Sequence, residues 1–213
     1  MNGSISENIR RIGDQIQAAS NSRLVQLIGV TKTVEPARIR QAFDAGLHVF
    51  GENRVQEGLP KITELASLGA TWHFIGHLQT NKVREVVRNF SMIQSVDSLK
   101  LLREIEKEAP KQQKKMDLLL EVNLGGEESK HGFPPDSIPA SFDLEWCSVR
   151  GLMAIPPFFE DPEKVRPYFQ KLRELRDQLR LPELSMGMSN DYMVAISEGA
   201  TMVRIGTAIF GER

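Results

Sequence analysis

Residues 184–213 read LSMGMSNDYMVAISEGATMVRIGTAIFGER, and this stretch decides the fold. It predicts a short strand ending over Leu184 to Met186, then a turn at Gly187 and Met188. A helix follows, with Ser189 as its N-cap, then the apolar strand Thr201 to Ile205 and a second turn at Gly206 and Thr207. Paired turns after the last two strands of a (β/α)₈ barrel commonly hold a phosphate, and free amides at a helix start attract anions. Strand alternation sets Met202, Arg204 and Gly206 on one side, with Val203 and Ile205 on the other. Arg204 thus stands where a charge needs a partner. This end of the chain predicts a site for a phosphorylated, ring-containing ligand.

Working back from there, the same rhythm runs through the whole chain. Strands are predicted near 24–31, 47–50, 71–75, 91–94, 117–123, 149–153, 183–186 and 201–205. Helices are predicted near 35–45, 54–67, 80–89, 97–109, 135–142, 160–180 and 189–198. Ahead of them, Ser4-Ile5-Ser6-Glu7 has the form of a capping box, and Ile9, Ile12 and Ile16 recur at helical spacing to about Ser20. Eight strands alternating with helices fit an α/β fold, a single (β/α)₈ TIM barrel with an extra N-terminal helix; an open doubly wound sheet is the alternative. Asp97 is placed to cap the helix that Pro110 stops, and Gly46, Gly69 and Gly199 follow helices as stop signals. Asp161-Pro162 resembles a cap, yet Pro167 would then lie inside the helix, which moves its start towards Pro167. Lys107 to Lys115 reads as a solvated loop.

Bulk properties restrict the function. The 213 residues carry 27 basic and 28 acidic side chains. Such balance offers no global field for nucleic acid or an acidic membrane. No repeat or linker interrupts the βα rhythm, so residues 1–213 are expected to form one domain. Cys147 is the single cysteine, which excludes an intrachain disulfide and fits a reducing compartment. The polar N-terminus lacks an apolar signal core, and no stretch approaches the roughly 20 apolar residues of a membrane helix. A cytoplasmic setting is expected.

Chemistry-bearing residues cluster after the strands. Lys32 follows the first strand and shares strand parity with Ile28 and Val30. If that side faces the barrel interior, Lys32 stands at the C-terminal mouth, where barrel active sites lie. An amine drawn partly out of water there is able to form an imine with a carbonyl; the alternative is a surface lysine flanking a strand. Asn53, after the second strand, either caps the next helix or points into the mouth. His73 and His77 have i, i+4 spacing, but in a strand and turn rather than a helix. No third ligand at a recognisable spacing accompanies them, so no metal site is predicted, and hydrogen-bonded histidines at a site rim are expected instead. The glycine-rich, charged segment Asn123 to Phe133 reads as either a mobile lid or a solvated loop. Lys82 and Lys130 are either secondary ligand-handling lysines or, more simply, surface residues.

Together the segments GVTKTV, HVFGENRVQE, WHFIGHLQTNK, QSVDSL, EVNLGGEESKHGF, VRGLMAI and LSMGMSNDYMVAISEGATMVRIGTAIFG resemble the pyridoxal phosphate homeostasis protein family. That family is similar in fold to the barrel domain of alanine racemase. The resemblance implies pyridoxal 5′-phosphate as cofactor, held by Lys32 as a covalent aldimine. It implies that Ser189, Gly206 and Thr207 bind the phosphate with main-chain help near Met188. It also implies that Asn53 lies beside the cofactor and that Arg204 faces the pyridine nitrogen. A monomer is expected, with apo pyridoxal-dependent enzymes as candidate recipients.

The same resemblance bears on turnover. An acidic partner at the ring nitrogen strengthens the cofactor as an electron sink; arginine only donates. Alanine racemases resembling this barrel share that arginine, and they add a tyrosine base from a C-terminal β-domain. Here the chain ends almost at once after Gly211, and its two tyrosines, Tyr168 and Tyr192, fall in predicted helices. The expectation is a protein that stores, delivers and shields pyridoxal phosphate without turnover. A weak pyridoxal-dependent racemase and a Schiff-base aldolase remain as alternatives.

Overall fold

A computed structural model describes residues 3–126 and 131–211. Eight parallel strands form a closed barrel in chain order: β1 (Gln26–Val30), β2 (Val49–Glu52), β3 (Thr71–Phe74), β4 (Met92–Val96), β5 (Met116–Glu121), β6 (Cys147–Met153), β7 (Glu183–Ser185) and β8 (Met202–Ile205). Closure runs through β1 and β8, with Ile28 opposite Arg204. That pairing settles the choice against an open sheet. The helices are α1 (Ile5–Ala19), α2 (Pro36–Asp44), α3 (Val55–Glu64), α4 (Val83–Asn89), α5 (Leu99–Glu108), α6 (Arg166–Gln178), α7 (Tyr192–Ser197) and α8 (Thr207–Phe210). α1 begins with the expected reciprocal capping box between Ser4 and Glu7 and buries Ile9, Ile12 and Ile16.

Two hydrophobic layers hold the barrel. Outward side chains such as Phe50, Trp72, Phe74 and Val203 pack beneath the helices. Inward ones, Ile28, Met92, Leu119, Met153 and Met202 with Val49 against them, fill the barrel's centre. Parallel strands are buried on both faces, which is why they read as near-continuous apolar runs. Alternation from these inward residues carries Lys32, Asn53, Glu121 and Arg204 to the inner side.

Three predicted boundaries are corrected. The helix expected over 135–142 is only a 3₁₀ turn, Pro135–Ser137; Pro134, Pro135 and Pro139 withhold the amides that a longer helix needs. Asp97 does not cap α5, because the Ser98 hydroxyl accepts from the Leu101 amide at 3.3 Å. Ser189 does not cap a helix either: α7 starts only at Tyr192. The carboxylate of Asp191 accepts from the Met188 amide at 2.6 Å, closing residues 188–191 into a turn of their own. α6 begins at Arg166 with Pro167 in its first turn, as the proline requires. Within 107–115, Lys114 is not merely solvated, since its ammonium donates to the Phe90 carbonyl at 2.8 Å beyond the end of α4.

Candidate functional site

The C-terminal ends of the strands bring most of the predicted residues to one mouth. Lys32 follows β1, half-buried, and the chain then bends through Thr33 at φ +59°. Among the described residues, no hydrogen bond or ion pair engages its ammonium. The backbone on either side is held from behind. Lys61 donates to the Thr31 carbonyl at 2.7 Å, to Glu52 at 2.8 Å and to Glu57 at 2.9 Å. The Thr31 hydroxyl also reaches Glu52, at 2.6 Å, while the Thr33 amide donates to Glu57. Burial pushes the Glu52 carboxyl up, against the lowering effect of Lys61 and Thr31. This buried network lies on the outward side of the strands, away from the mouth.

Asn53 does not cap α3. The N-cap position falls to Arg54, without a side-chain cap, and among the described residues the buried Asn53 Oδ1 has no hydrogen-bond partner. A buried carbonyl oxygen without a donor is costly, so a ligand that brings a donor fits this position. Close by, Gly76 packs against the Asn53 backbone so tightly that a Cβ there would lie 2.1 Å from the Asn53 carbonyl oxygen.

Arg204 is 3% exposed and anchors a directed chain of hydrogen bonds across the barrel. Its Nη1 donates to Ser185 Oγ at 2.6 Å and its Nη2 to the Ala154 carbonyl at 3.0 Å. The Ser185 hydroxyl donates to Gln94 Oε1 at 2.6 Å, and Gln94 Nε2 donates to His73 Nδ1 at 3.0 Å. His73 therefore must accept through Nδ1 and be neutral. Burial pulls its pKa down to about 4. It lies inside the barrel, not at the rim as expected. Burial also pulls Arg204 down to about 10, opposed by the charges of Glu121 and Asp191, so the guanidinium stays protonated at neutral pH. Glu121 is pushed up, first by burial and then by the Asp97 charge.

The loops after β7 and β8 are tied together. Ser189 Oγ accepts from the Ala208 amide at 3.2 Å, and the Arg204 amide donates to the Gly187 carbonyl at 3.0 Å. Gly206 is buried and Thr207 exposed, at the start of the short helix α8. The first amides of a helix have no acceptor within it; Ser189 takes that of Ala208. The Met188 amide donates to Asp191 Oδ1 at 2.6 Å.

His77 stands at the rim, with Nδ1 3.0 Å from Asp97 Oδ2. It lines a hollow of about 210 Å³ with Asn53, Gln79 and Lys82, and Lys82 lies 3.3 Å from Glu85. Lys130 lies outside the described residues. Glu52, Lys61, Gln94, Ser185 and Asp191 were not anticipated. Strand parity with Met92 marks Gln94 as an inward polar residue, whereas nothing local links Lys61 to Thr31.

Comparison with known proteins shows the family and the fold. Residues 3–213 match the family described as alanine racemase, N-terminal domain. The chain is 50% identical over 222 residues to the pyridoxal phosphate homeostasis protein of Aquifex aeolicus, covering 97% of each chain. It is 42% identical to the protein of that name from Pseudomonas aeruginosa, covering 98% of this chain and 96% of that one. The structure of PipY from Synechococcus elongatus PCC7942 with PLP bound superposes with a TM-score of 0.88 at 38% identity, covering 98% of this chain and 100% of PipY.

Proposed function

Because the chain belongs to the pyridoxal phosphate homeostasis protein family, which has the alanine racemase N-terminal domain fold, we propose that it binds pyridoxal 5′-phosphate at this mouth. It holds the cofactor for storage and delivery, with apo pyridoxal-dependent enzymes as recipients. The observation that carries the reading is the placement of a half-buried Lys32 amine, without a partner among the described residues, at the same barrel mouth as the linked β7 and β8 loops. PLP-bound PipY supports it by similarity.

When bound, the cofactor supplies an aldehyde that condenses with a primary amine, an electron-withdrawing ring and a phosphate. Lys32 provides the amine, set in place by the Thr31 and Thr33 backbone. Ser189, Gly206 and Thr207 hold the phosphate, with Met188 contributing to the shape of the turn rather than a free amide. Asn53 receives a donor at its orphaned Oδ1. Arg204 would donate towards the ring nitrogen; it has no lone pair with which to hold a proton there, so the ring would be left a weak electron sink.

Two-base chemistry needs a second group facing the lysine. The Tyr192 hydroxyl is instead bound to Gln15 of α1 at 2.5 Å, and Tyr168 lies in α6 beside Phe159. Both observations favour holding over turnover. None of the helices in the described residues is long and apolar enough to cross a membrane.

Borohydride reduction of the loaded protein followed by peptide mass mapping tests the site. The reduced cofactor is expected on the Lys32 peptide alone. Labelling elsewhere in Lys32-containing protein overturns the site, and amino-acid racemisation abolished by Lys32→Ala overturns the non-catalytic reading.

A further inference from the structure

We propose that His77, Asp97 and His131 form a binding site for a divalent transition-metal ion of the zinc type. The three residues come from the loops after β3, β4 and β5. Their donor atoms all lie within 4.8 Å of one another. His77 Nδ1 is 3.0 Å and His131 Nδ1 3.8 Å from the same Asp97 oxygen, Oδ2. Zinc sits about 2.0–2.2 Å from nitrogen and oxygen ligands, so donors at the corners of a tetrahedron are about 3.3–3.5 Å apart. The two observed separations bracket that value, and turning the two exposed rings out of their stack would bring a shared ion into the plane of each imidazole.

The charges point the same way. Asp97 has only 11% of its side chain exposed and is released from helix capping because Ser98 does that work. Its carboxylate is thus mostly withdrawn from water. The two imidazole rings facing it are stacked, centroids 3.7 Å apart and 12° from parallel. A cation held by the two imidazoles and the carboxylate would set a full positive charge beside Asp97. Three protein ligands leave a fourth position open to water or another small donor. Occupancy would tie three loop ends together along one side of the mouth. Sequence spacing could not disclose the set, because Asp97 and His131 are far along the chain from His77.

The test uses the full chain, freed of metal by chelation and free of aldehyde cofactor. Zn²⁺ is titrated by calorimetry and Co²⁺ by visible absorption. One ion per chain is expected, with the strong visible bands of low-coordinate cobalt. His77→Ala, Asp97→Asn and His131→Ala should each weaken Zn²⁺ binding at least tenfold with unaltered circular dichroism, while His48→Ala should not. His131 is exposed, so its variant reads binding without threatening the fold. Absence of stoichiometric binding, or binding equal in all four variants, overturns the site. Neither result bears on cofactor attachment at Lys32, which is read separately by mass.

Discussion

The Lys61 ammonium donates to the Thr31 carbonyl at 2.7 Å, one residue before Lys32. Lys61 also neutralises Glu52, which is fully buried, and Glu57, which holds the Thr33 amide. One buried cation therefore fixes the backbone on both sides of the amine. Removing one member of a buried ionic group commonly costs about 3–5 kcal/mol, because the remaining charge is stranded. Lys61→Met should lower the melting temperature by at least about 6 °C and slow cofactor attachment at Lys32. A melting temperature unchanged within error would show that the network is not stabilising.

The phosphate assignment is tested by truncating hydroxyls. A hydrogen bond to a charged group contributes about 1.5–3 kcal/mol. Ser189→Ala and Thr207→Ala should each weaken pyridoxal phosphate binding about tenfold or more, read by equilibrium dialysis. Ser189→Ala also removes the acceptor of the Ala208 amide, so it should have the larger effect. Unchanged affinity in both variants would place the phosphate elsewhere.

Gly187 is required by the turn that carries Ser189. Its φ is +93°, and a Cβ would lie 2.5 Å from the Cβ of Ala195 and 3.0 Å from the Tyr192 Cα. Gly46 has nearly the same φ, +95°, with nothing within 4 Å of such a Cβ. Gly46→Ala therefore meets only the backbone penalty, about 1–2 kcal/mol. Gly187→Ala meets that penalty and a collision with α7. Urea unfolding should show Gly187→Ala as the more destabilised of the two, with weaker cofactor binding as well. Equal losses would mean that α7 yields without cost.

The barrel was legible because its determinants are local. Ile28, Leu119 and Met202 sit in strands buried on both faces, and such strands read as apolar runs whatever they pack against. Parity then carried Lys32 and Arg204 to the inner side without knowledge of the partners. What was illegible depends on distant residues. Ser189 has every mark of an N-cap, yet Asp191 closes the turn first and frees its hydroxyl for Ala208, 19 residues on. Asp97 loses the cap of α5 to its neighbour Ser98, and a single residue is within the ordinary uncertainty of helix ends. α8 spans four residues, too few for a periodic signal. Lys61 lies on α3 and looks like an exposed helical lysine until Glu52 and Thr31 are brought beneath it.

His73 makes folding stability depend on pH in a defined direction. It is buried and neutral, accepts from Gln94, and has a pKa of about 4 against an ordinary value of 6.5. Below pH 6.5 the unfolded chain takes up a proton that the native barrel refuses, so stability falls as the pH drops from about 6.5 towards 4. Above 6.5 both states are neutral and the contribution is constant. A shift of this size corresponds to about 2 kcal/mol lost between pH 7 and pH 4.5. Glu52, Glu121 and Asp191 act with the opposite sign, since burial raises each of them and the native state then takes up protons more readily than the unfolded chain. Total stability therefore mixes the two effects, and a variant is needed to separate them. His73→Gln keeps an acceptor for Gln94 but cannot titrate. Urea unfolding at pH 7 and at pH 4.5 should show a larger loss for the native sequence than for His73→Gln, by about 2 kcal/mol. Identical losses would mean that His73 gains a proton in the folded barrel, and the hydrogen-bond chain from Arg204 would then have to reverse at its last link.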